Sequence, residues 1–369
     1  MSKADELQFD NCLTAERVPT ESLLIETNRG RYALRVPQGS VVLREALRAG
    51  ISLPYACASG TCGTCTATVL DGSLVDQWPS APGLSSRMRK AGRVLLCQSE
   101  IKGPVCVRTI EDADERRTGL TPASDRVGRL VERTVRATGV AELLIEVEKP
   151  LTFAPGQYVL VSFPGVQGMR ALSIANCEQS PISRVRLLVK PRHGSDLDAA
   201  LWSDLAIGHP LQLFGPLGVA CLQDEDAQNE ILCIAGSTGI APMLPILHEW
   251  LRRGGHGKAH LVYAVRSRNQ MIALNDVASL AARAGTRLSI TIALSEPEQG
   301  DVDMLTREVS GMATVVPGYA HEAVRDLVTC DATQTLAFVA GPKVMVQASV
   351  KALMLHGKLT PAAIRCDDF

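Results

Sequence analysis

The chain has 369 residues, 46% hydrophobic and 21% charged, with a formal net charge of −1. That length exceeds one ordinary core and predicts two or three domains, and the near-zero charge, free of long like-charge runs, excludes an electrostatic footprint for nucleic acid or an anionic membrane. The opening residues MSKADELQFDNC hold no apolar core of a signal peptide, and no apolar run approaches the roughly 18 residues of a membrane helix. Eleven cysteines, mostly isolated in apolar surroundings, argue against a disulfide framework. A cytoplasmic location is expected, with neither nucleic acid nor membrane as partner.

RYALRVPQGS, residues 31–40, alternates as a strand and closes on a Pro/Gly turn. Ser40 is placed to cap the next helix, on which Leu43 and Leu47 share a face before Gly50 stops it. YACASGTCGTC follows, Tyr55 to Cys65. Cys57, Cys62 and Cys65 have the spacing C-x4-C-x2-C, and VLLCQSE brings Cys97 a few dozen residues later. This is the plant-type [2Fe–2S] ligand pattern, whose last thiolate arrives from a distant part of the fold. Gly60 and Gly63 tolerate the dihedrals that turn amide N–H groups toward sulfur, and Ala58, Ser59, Thr61 and Thr64 are small enough not to block the approach. Zinc also takes four thiolates, although its structural sites usually come as two separated C-x2–4-C knuckles. Buried inert cysteine, the reading for Cys106, Cys177, Cys221 and Cys233, is the third alternative. TATVLDGS then gives a strand running into an Asp-Gly turn. Residues 20–110 closely resemble a plant-type ferredoxin domain of the β-grasp fold.

Residues 111–126, EDADERRTGLTPASDR, are charged and lack apolar periodicity, as a linker does. Over 127–227 the runs ELLIEVEKP, GQYVLVSFPG and RVRLLVKP, spaced by Gly/Pro turns, predict a small β-barrel. From 228 to 369 the chain reads as a nucleotide-binding domain. ILCIA is an apolar strand, GSTGIAP a Gly-rich turn and MLPILHEWLRR a helix, the context in which a helix N-terminus receives phosphate. Gly236 and Gly239 let the backbone approach a pyrophosphate, Ser237 and Thr238 offer hydroxyls, Pro242 suits a first helical turn, and Gly254 and Gly255 end the helix. LVYAVRSRNQ supplies the next strand. Its end, with Arg266, Ser267, Arg268 and Gln270, is expected at the adenosine ribose, where an acid favours NADH and an arginine favours the 2′-phosphate of NADPH. NADH is expected, with NADPH open.

PGQYVLVSFPG, RALSIAN and FGPLG resemble the flavin domain of the ferredoxin–NADP⁺ reductase superfamily. The resemblance implies that Arg170 pairs with the FAD pyrophosphate, a natural bidentate match, and that Ser173 hydrogen-bonds near flavin N5. Ala171, Leu172, Leu188, Val189 and Lys190 complete the implied flavin contacts, with backbone groups of Gly194, Ser195 and Leu197 on the phosphate. Two positions depart from that pattern. Leu172 stands where the family has an aromatic ring, and Asp198 stands where it has a hydroxyl. FVAGPKVMV resembles the family's C-G-P-x-x-M stretch and implies Ala340, Gly341, Pro342 and Met345 at the nicotinamide, with Ala340 replacing the cysteine. CDDF resembles a terminal D-x-F and makes Phe369 the implied lid over the flavin. Ser173, Ala340 and Phe369 are the implied catalytic set.

In domain order the chain resembles the reductase component of multicomponent oxygenases, the type serving Rieske non-haem iron enzymes. That implies a multidomain α+β and α/β architecture: a β-grasp ferredoxin, a six-stranded antiparallel flavin-binding β-barrel and a parallel-sheet nicotinamide-binding α/β domain. It implies an oxidoreductase that takes hydride pairs from NAD(P)H with FAD and delivers single electrons through [2Fe–2S] to an oxygenase component or an intermediary ferredoxin. Around SIAN and DDF the chain is also similar to CDP-6-deoxy-glucoseen reductase, which leaves a sugar-deoxygenation partner open. Leu172, Asp198 and Ala340 together leave open a redox or nucleotide sensor that binds without turnover.

Overall fold

A computed structural model describes residues 19–113, 119–255, 257–327 and 332–368. The first unit contains β1 (Thr20–Thr27), β2 (Gly30–Pro37), α1 (Val42–Arg48), β3 (Thr66–Asp76), α2 (Ser86–Lys90), β4 (Arg93–Leu95) and β5 (Ser99–Thr109). Its sheet runs β2-β1-β5-β3-β4, with β1 and β5 parallel and the other neighbours antiparallel. Helix α1 buries Val42, Leu43, Ala46 and Leu47 on the sheet, and Gly50 leaves it at φ 74°. Ser40 does not cap this helix. Val41 is the N-cap and no side chain accepts there, because Ser40 is held to the sheet by the Ile101 N–H on its carbonyl at 2.9 Å. Asp71-Gly72 is likewise not a turn. Strand β3 runs straight through it, with register shifts on either side that mark β-bulges. Gly72 sits at φ 78°, and a Cβ there would lie 2.2 Å from the Pro104 carbonyl oxygen.

The second unit contains β6 (Ser124–Ala137), β7 (Val140–Leu151), β8 (Tyr158–Ser162), β9 (Met169–Ser173), β10 (Ile182–Val189), α3 (Asp196–Ala199) and β11 (Pro210–Leu217). Its antiparallel order is β10-β7-β6-β11-β8-β9. The two outer strands approach through an Ile174–Leu187 bridge, so the sheet curls into a barrel around Leu130, Leu143, Ile145, Val161 and Leu213. Strand β6 begins at Ser124, three residues inside the stretch read as linker, because Ser124–Arg126 pair with Leu213–Gly215 of β11.

The third unit contains β12 (Glu230–Gly236), α4 (Ile240–Arg252), β13 (Ala259–Val265), α5 (Leu274–Ala284), β14 (Leu288–Leu294), α6 (Asp301–Glu308), β15 (Thr314–Pro317), α7 (Ala320–Leu327), β16 (Thr335–Gly341), α8 (Lys343–Leu355) and β17 (Ile364–Asp368). The parallel sheet is ordered β15-β14-β13-β12-β16-β17. One face packs on α4 and α5 through residues such as Cys233 and Trp250, the other on α7 and α8 through Ile234 and Leu353. Chain order reverses between β12 and β16, and in such sheets ligands bind outside the carboxyl ends of the strands at that point. No helix among the described residues is long and apolar enough to cross a membrane.

Candidate functional site

The four cysteines come together as two pairs. Cys65 Sγ lies 3.3 Å from Cys97 Sγ, and the Cys57 N–H lies 3.5 Å from Cys62 Sγ. The loop turns its amides inward: Ser59, Thr61 and Cys62 N–H groups each point to Cys57 Sγ at 3.4 Å. The Cys62 thiol and these donors hold the Cys57 thiol well below its ordinary range, against the cost of burial. Cys65 is likewise lowered, chiefly by a hydrogen bond from Cys97. Gly60 and Gly63 adopt φ 96° and 89°, and a Cβ on Gly63 would lie 2.5 Å from the Gly83 carbonyl oxygen. Among the described residues no three His, Cys, Asp or Glu side chains are grouped closely enough to hold a single metal ion. Two separate thiol pairs suit a two-iron centre with one pair per iron, and they do not suit a mononuclear zinc site. Outside the loop, Cys221 and Cys233 are buried, whereas Cys106 and Cys177 are only half-buried, a correction to the inert-core reading of those two.

On β9 the side chains alternate. Arg170 and Leu172 share one face, and Leu172 packs half-buried against the barrel core. Met169 and Ala171 point the other way, toward the ferredoxin unit. Arg170 donates to the Gln167 carbonyl at 2.9 Å and makes no ion pair among the described residues. Burial lowers its pKa, as expected of a guanidinium short of a counter-anion. Ser173 Oγ lies 3.5 Å from Asp367 Oδ2 on β17. Leu188 and Val189 are buried core residues. Lys190 Nζ reaches Ser237 Oγ at 3.2 Å and Gln270 Oε1 at 3.4 Å, across to the nucleotide unit.

In the loop after β10, Ser195 caps α3 by accepting from Asp198 N–H at 3.2 Å. Asp198 turns back onto its own loop. Its carboxylate accepts the Gly194 N–H at 2.8 Å and faces His193 Nδ1 at 3.2 Å. The Gly194 amide, expected to serve a phosphate, is thus already engaged, and it lowers the Asp198 pKa. Leu197 packs on the barrel core.

At the switch point the strand ends nearly touch. A Cβ on Gly239 would lie 2.1 Å from the Ala340 carbonyl oxygen, and one on Gly236 would lie 2.4 Å from Met345 Sδ and 3.0 Å from Pro342 Cδ. Ser237 adopts φ 52°, beside Thr238 at the start of the turn into α4, where Pro242 occupies the first turn. Gly341 packs 3.0 Å from Gly236 Cα in the same sense, and Ala340 is fully buried. The Arg268 side chain is held by Glu308 at 3.0 Å and its N–H by Asp301, whereas exposed Arg266 meets Glu296 only at 3.8 Å. Ser267 lies between them at the end of this loop, before a short helical turn. Phe369 lies outside the described residues.

Residues 25–102 match the 2Fe-2S iron-sulfur cluster binding domain, and residues 233–351 match the oxidoreductase NAD-binding domain. The chain is 36% identical over 271 residues to the ferredoxin–NAD(+) reductase component of an alkene monooxygenase system from Xanthobacter autotrophicus, covering 72% of this chain and 79% of that protein. It belongs to the ferredoxin–NAD(P)⁺ reductase components of oxygenase systems. A second relative, the reductase component of the naphthalene 1,2-dioxygenase/salicylate 5-hydroxylase systems of Ralstonia sp, is 29% identical and covers 91% of this chain and 95% of its own length. The ferredoxin reductase in carbazole 1,9a-dioxygenase shares the fold, with a TM-score of 0.79 at 24% identity over 95% of this chain and 98% of that one. The cofactors of this reductase are a [2Fe–2S] cluster, FAD and NAD(P)H.

Several residues that join the parts of the reductase were not among the expected site residues. Tyr158 donates its hydroxyl to the Ala56 carbonyl, and Gly218 N–H donates to Tyr55 Oη at 3.3 Å. Arg48 pairs with Asp125 and stacks over Phe214, 5.7 Å from its centroid. Buried Arg365 pairs with buried Asp226, donates to the Cys221 carbonyl at 2.6 Å and lies over Phe338. Tyr55, Tyr158, Phe214 and Gly218 lie inside the stretches YACASGTCGTC, PGQYVLVSFPG and FGPLG, but nothing in those stretches implied which partner each would meet.

Proposed function

We propose that this reductase divides into a ferredoxin at 20–110, a connecting stretch from 111, a flavin barrel to 227 and a nicotinamide domain from 228, and that it supplies electrons to an oxygenase component of the Rieske type or to an intermediary ferredoxin. When bound, FAD would supply two-electron hydride acceptance and the [2Fe–2S] cluster one-electron transfer. Arg170 would neutralise the pyrophosphate. Ser173, held by Asp367, would fix a hydroxyl at the reacting edge, and Leu172 would cover the ring by apolar contact. Ala340, Gly341, Pro342 and Met345 would shape the nicotinamide floor, with Gly236, Ser237, Thr238 and Gly239 at the phosphates. Cys57, Cys62, Cys65 and Cys97 would ligate the irons. NADH is the preferred donor in this reading, supported by the Arg268 side chain being held by Glu308. The Ralstonia relative's name supports an aromatic-ring oxygenase partner, and the Xanthobacter relative's name supports an oxygenase partner more broadly. A cytoplasmic setting is supported by nine described cysteines, none in a disulfide.

The observation that carries this reading is one continuous line of contacts. Ala56, next to Cys57, accepts from Tyr158; Tyr158 is the partner of Ser173 on the neighbouring strand; Ser173 meets Asp367; and Asp367 pairs with Ala340 at the nucleotide crevice. Anaerobic titration with NADH should bleach flavin absorbance and then the cluster bands, in protein with two irons and one FAD per chain. Colourless protein carrying zinc, or NADH binding without bleaching, would overturn it.

A further inference from the structure

The cluster loop has a covered side and an open side. Tyr55 and Ala56 are bonded to the barrel, and Gln77, just beyond the loop's edge, accepts from Gln167 Nε2 at 3.0 Å. The other side meets solvent. Thr61 is exposed, and the indole of Trp78 lies against Gly60, where a Cβ would come within 2.9 Å of the ring. Trp78 is 37% exposed, and Met88 on α2 is 38% exposed. The segment carrying α2 is tied to the loop, since Gly83 N–H donates to the Gly60 carbonyl at 3.0 Å.

Charge around this side is mostly positive; its one nearby acid, Asp76, accepts the Trp78 N–H at 3.0 Å and is paired with Arg89. From Ile51 to Leu70 the sequence has no charged residue, and from Gln77 to Ser99 it has Arg87, Arg89, Lys90 and Arg93 and no acid. Arg89 is taken by Asp76 and the Ala81 carbonyl, and Arg93 donates to Thr68 Oγ1 at 2.8 Å. Arg87 and Lys90 are exposed and make no ion pair among the described residues. A chain whose formal net charge is −1 therefore leaves two exposed cations, Arg87 and Lys90, on the open side of its cluster loop.

We propose that this face, with Trp78 and Met88 flanked by Arg87 and Lys90, docks the electron-accepting protein, and that the acceptor meets it with a carboxylate-rich patch around an apolar spot. The proposal rests on the electron-transfer reading above. A single electron leaves only to a partner brought close to the cluster, and the barrel already covers the opposite side. Exposed Trp, Met and Arg are enriched at protein interfaces. Complementary charge raises encounter rates by roughly 10- to 1,000-fold at low salt, and salt erases the gain.

The test uses the full-length holoenzyme with NADH and two haem-protein acceptors, the acidic soluble domain of cytochrome b5 and basic cytochrome c. The expected result is that wild-type enzyme favours the acidic acceptor, at a rate that falls as salt rises. The double variant Arg87→Glu/Lys90→Glu should lose about tenfold or more in kcat/KM for that acceptor. Lys351→Glu, a charge reversal on exposed α8, should leave it unchanged. NADH-driven ferricyanide reduction should be equal in all three, which separates failure of docking from failure of the reductase itself. The proposal is overturned if an enzyme active with ferricyanide prefers cytochrome c, if the double variant matches wild type, or if Lys351→Glu loses as much. Self-association that the double variant abolishes, with acceptor rates unchanged, would assign the face to a second copy and also overturn it.

Discussion

Among the contacts that join the ferredoxin unit to the barrel, the Tyr158 hydroxyl donates to the carbonyl of Ala56, immediately before the first cluster cysteine. On its own sheet Tyr158 is the cross-strand partner of Ser173. This side chain therefore ties the cluster loop directly to the strand next to the one assigned to the flavin. Tyr158→Phe keeps the ring's packing and removes that bond, at a cost of about 1 kcal/mol in stability. Stopped-flow measurement should show flavin bleaching by NADH unchanged and cluster reduction slowed several-fold; equal rates for both phases would deny Tyr158 this role.

The nucleotide crevice makes a contrast between two glycines. Gly239→Ala drives a Cβ into the Ala340 carbonyl, backbone that cannot swing aside, whereas Gly236→Ala meets the flexible end of Met345 and one carbon of the Pro342 ring. The first should cost about 1–3 kcal/mol and raise KM for NADH markedly. The second should cost less. Thermal unfolding and steady-state kinetics on both variants check the ranking.

Asp198 is the departure with the clearest expected consequence. Its carboxylate occupies the Gly194 N–H and adds a negative charge beside the loop assigned to the pyrophosphate. Asp198→Ser should free that amide and tighten FAD binding several-fold, read by fluorescence titration of deflavinated protein. Weaker binding would show that the carboxylate holds the loop in its binding shape.

His260 gives the fold a pH dependence. Its ring is largely buried, bonded to Thr291 Oγ1 at 3.0 Å, and burial lowers its pKa from 6.5 to about 4. The unfolded chain therefore binds a proton between those values while the folded chain does not, so stability falls as pH drops through that window. The loss at pH 5 relative to neutral pH should be about 2 kcal/mol. His260→Gln should flatten that part of the denaturation profile.

The Asp226–Arg365 pair is buried on both sides, at 2% and 7% side-chain exposure. Removing one partner leaves an uncompensated buried charge. Asp226→Ala should cost about 3–5 kcal/mol, far more than loss of exposed Glu296 beside Arg266, which should cost under about 1 kcal/mol. Chemical denaturation of the two variants compares them directly.

Features legible in the residues were those that chemistry fixes over a short stretch. The C-x4-C-x2-C spacing, strand–glycine turn–helix at 231–251 and the alternation of the barrel strands each depend on neighbours a few places away. At Ser40 and at Asp71-Gly72 local capping and turn preference lose to long-range pairing, with Ile101 and with Val105–Cys106 respectively. Asp198 could be flagged as unusual, but its direction was decided by which amide lay free to meet it.

The order of residues alone thus settled the thiols, the glycines and the three-unit plan, since backbone freedom and ligand type belong to the residues themselves. Folding alone decided that the thiols fall in pairs, that Tyr158 reaches Ala56 from 102 positions away and that Asp367 lies beside Ser173. Contacts between distant segments depend on how whole sheets pack, and no short window of sequence encodes that distance.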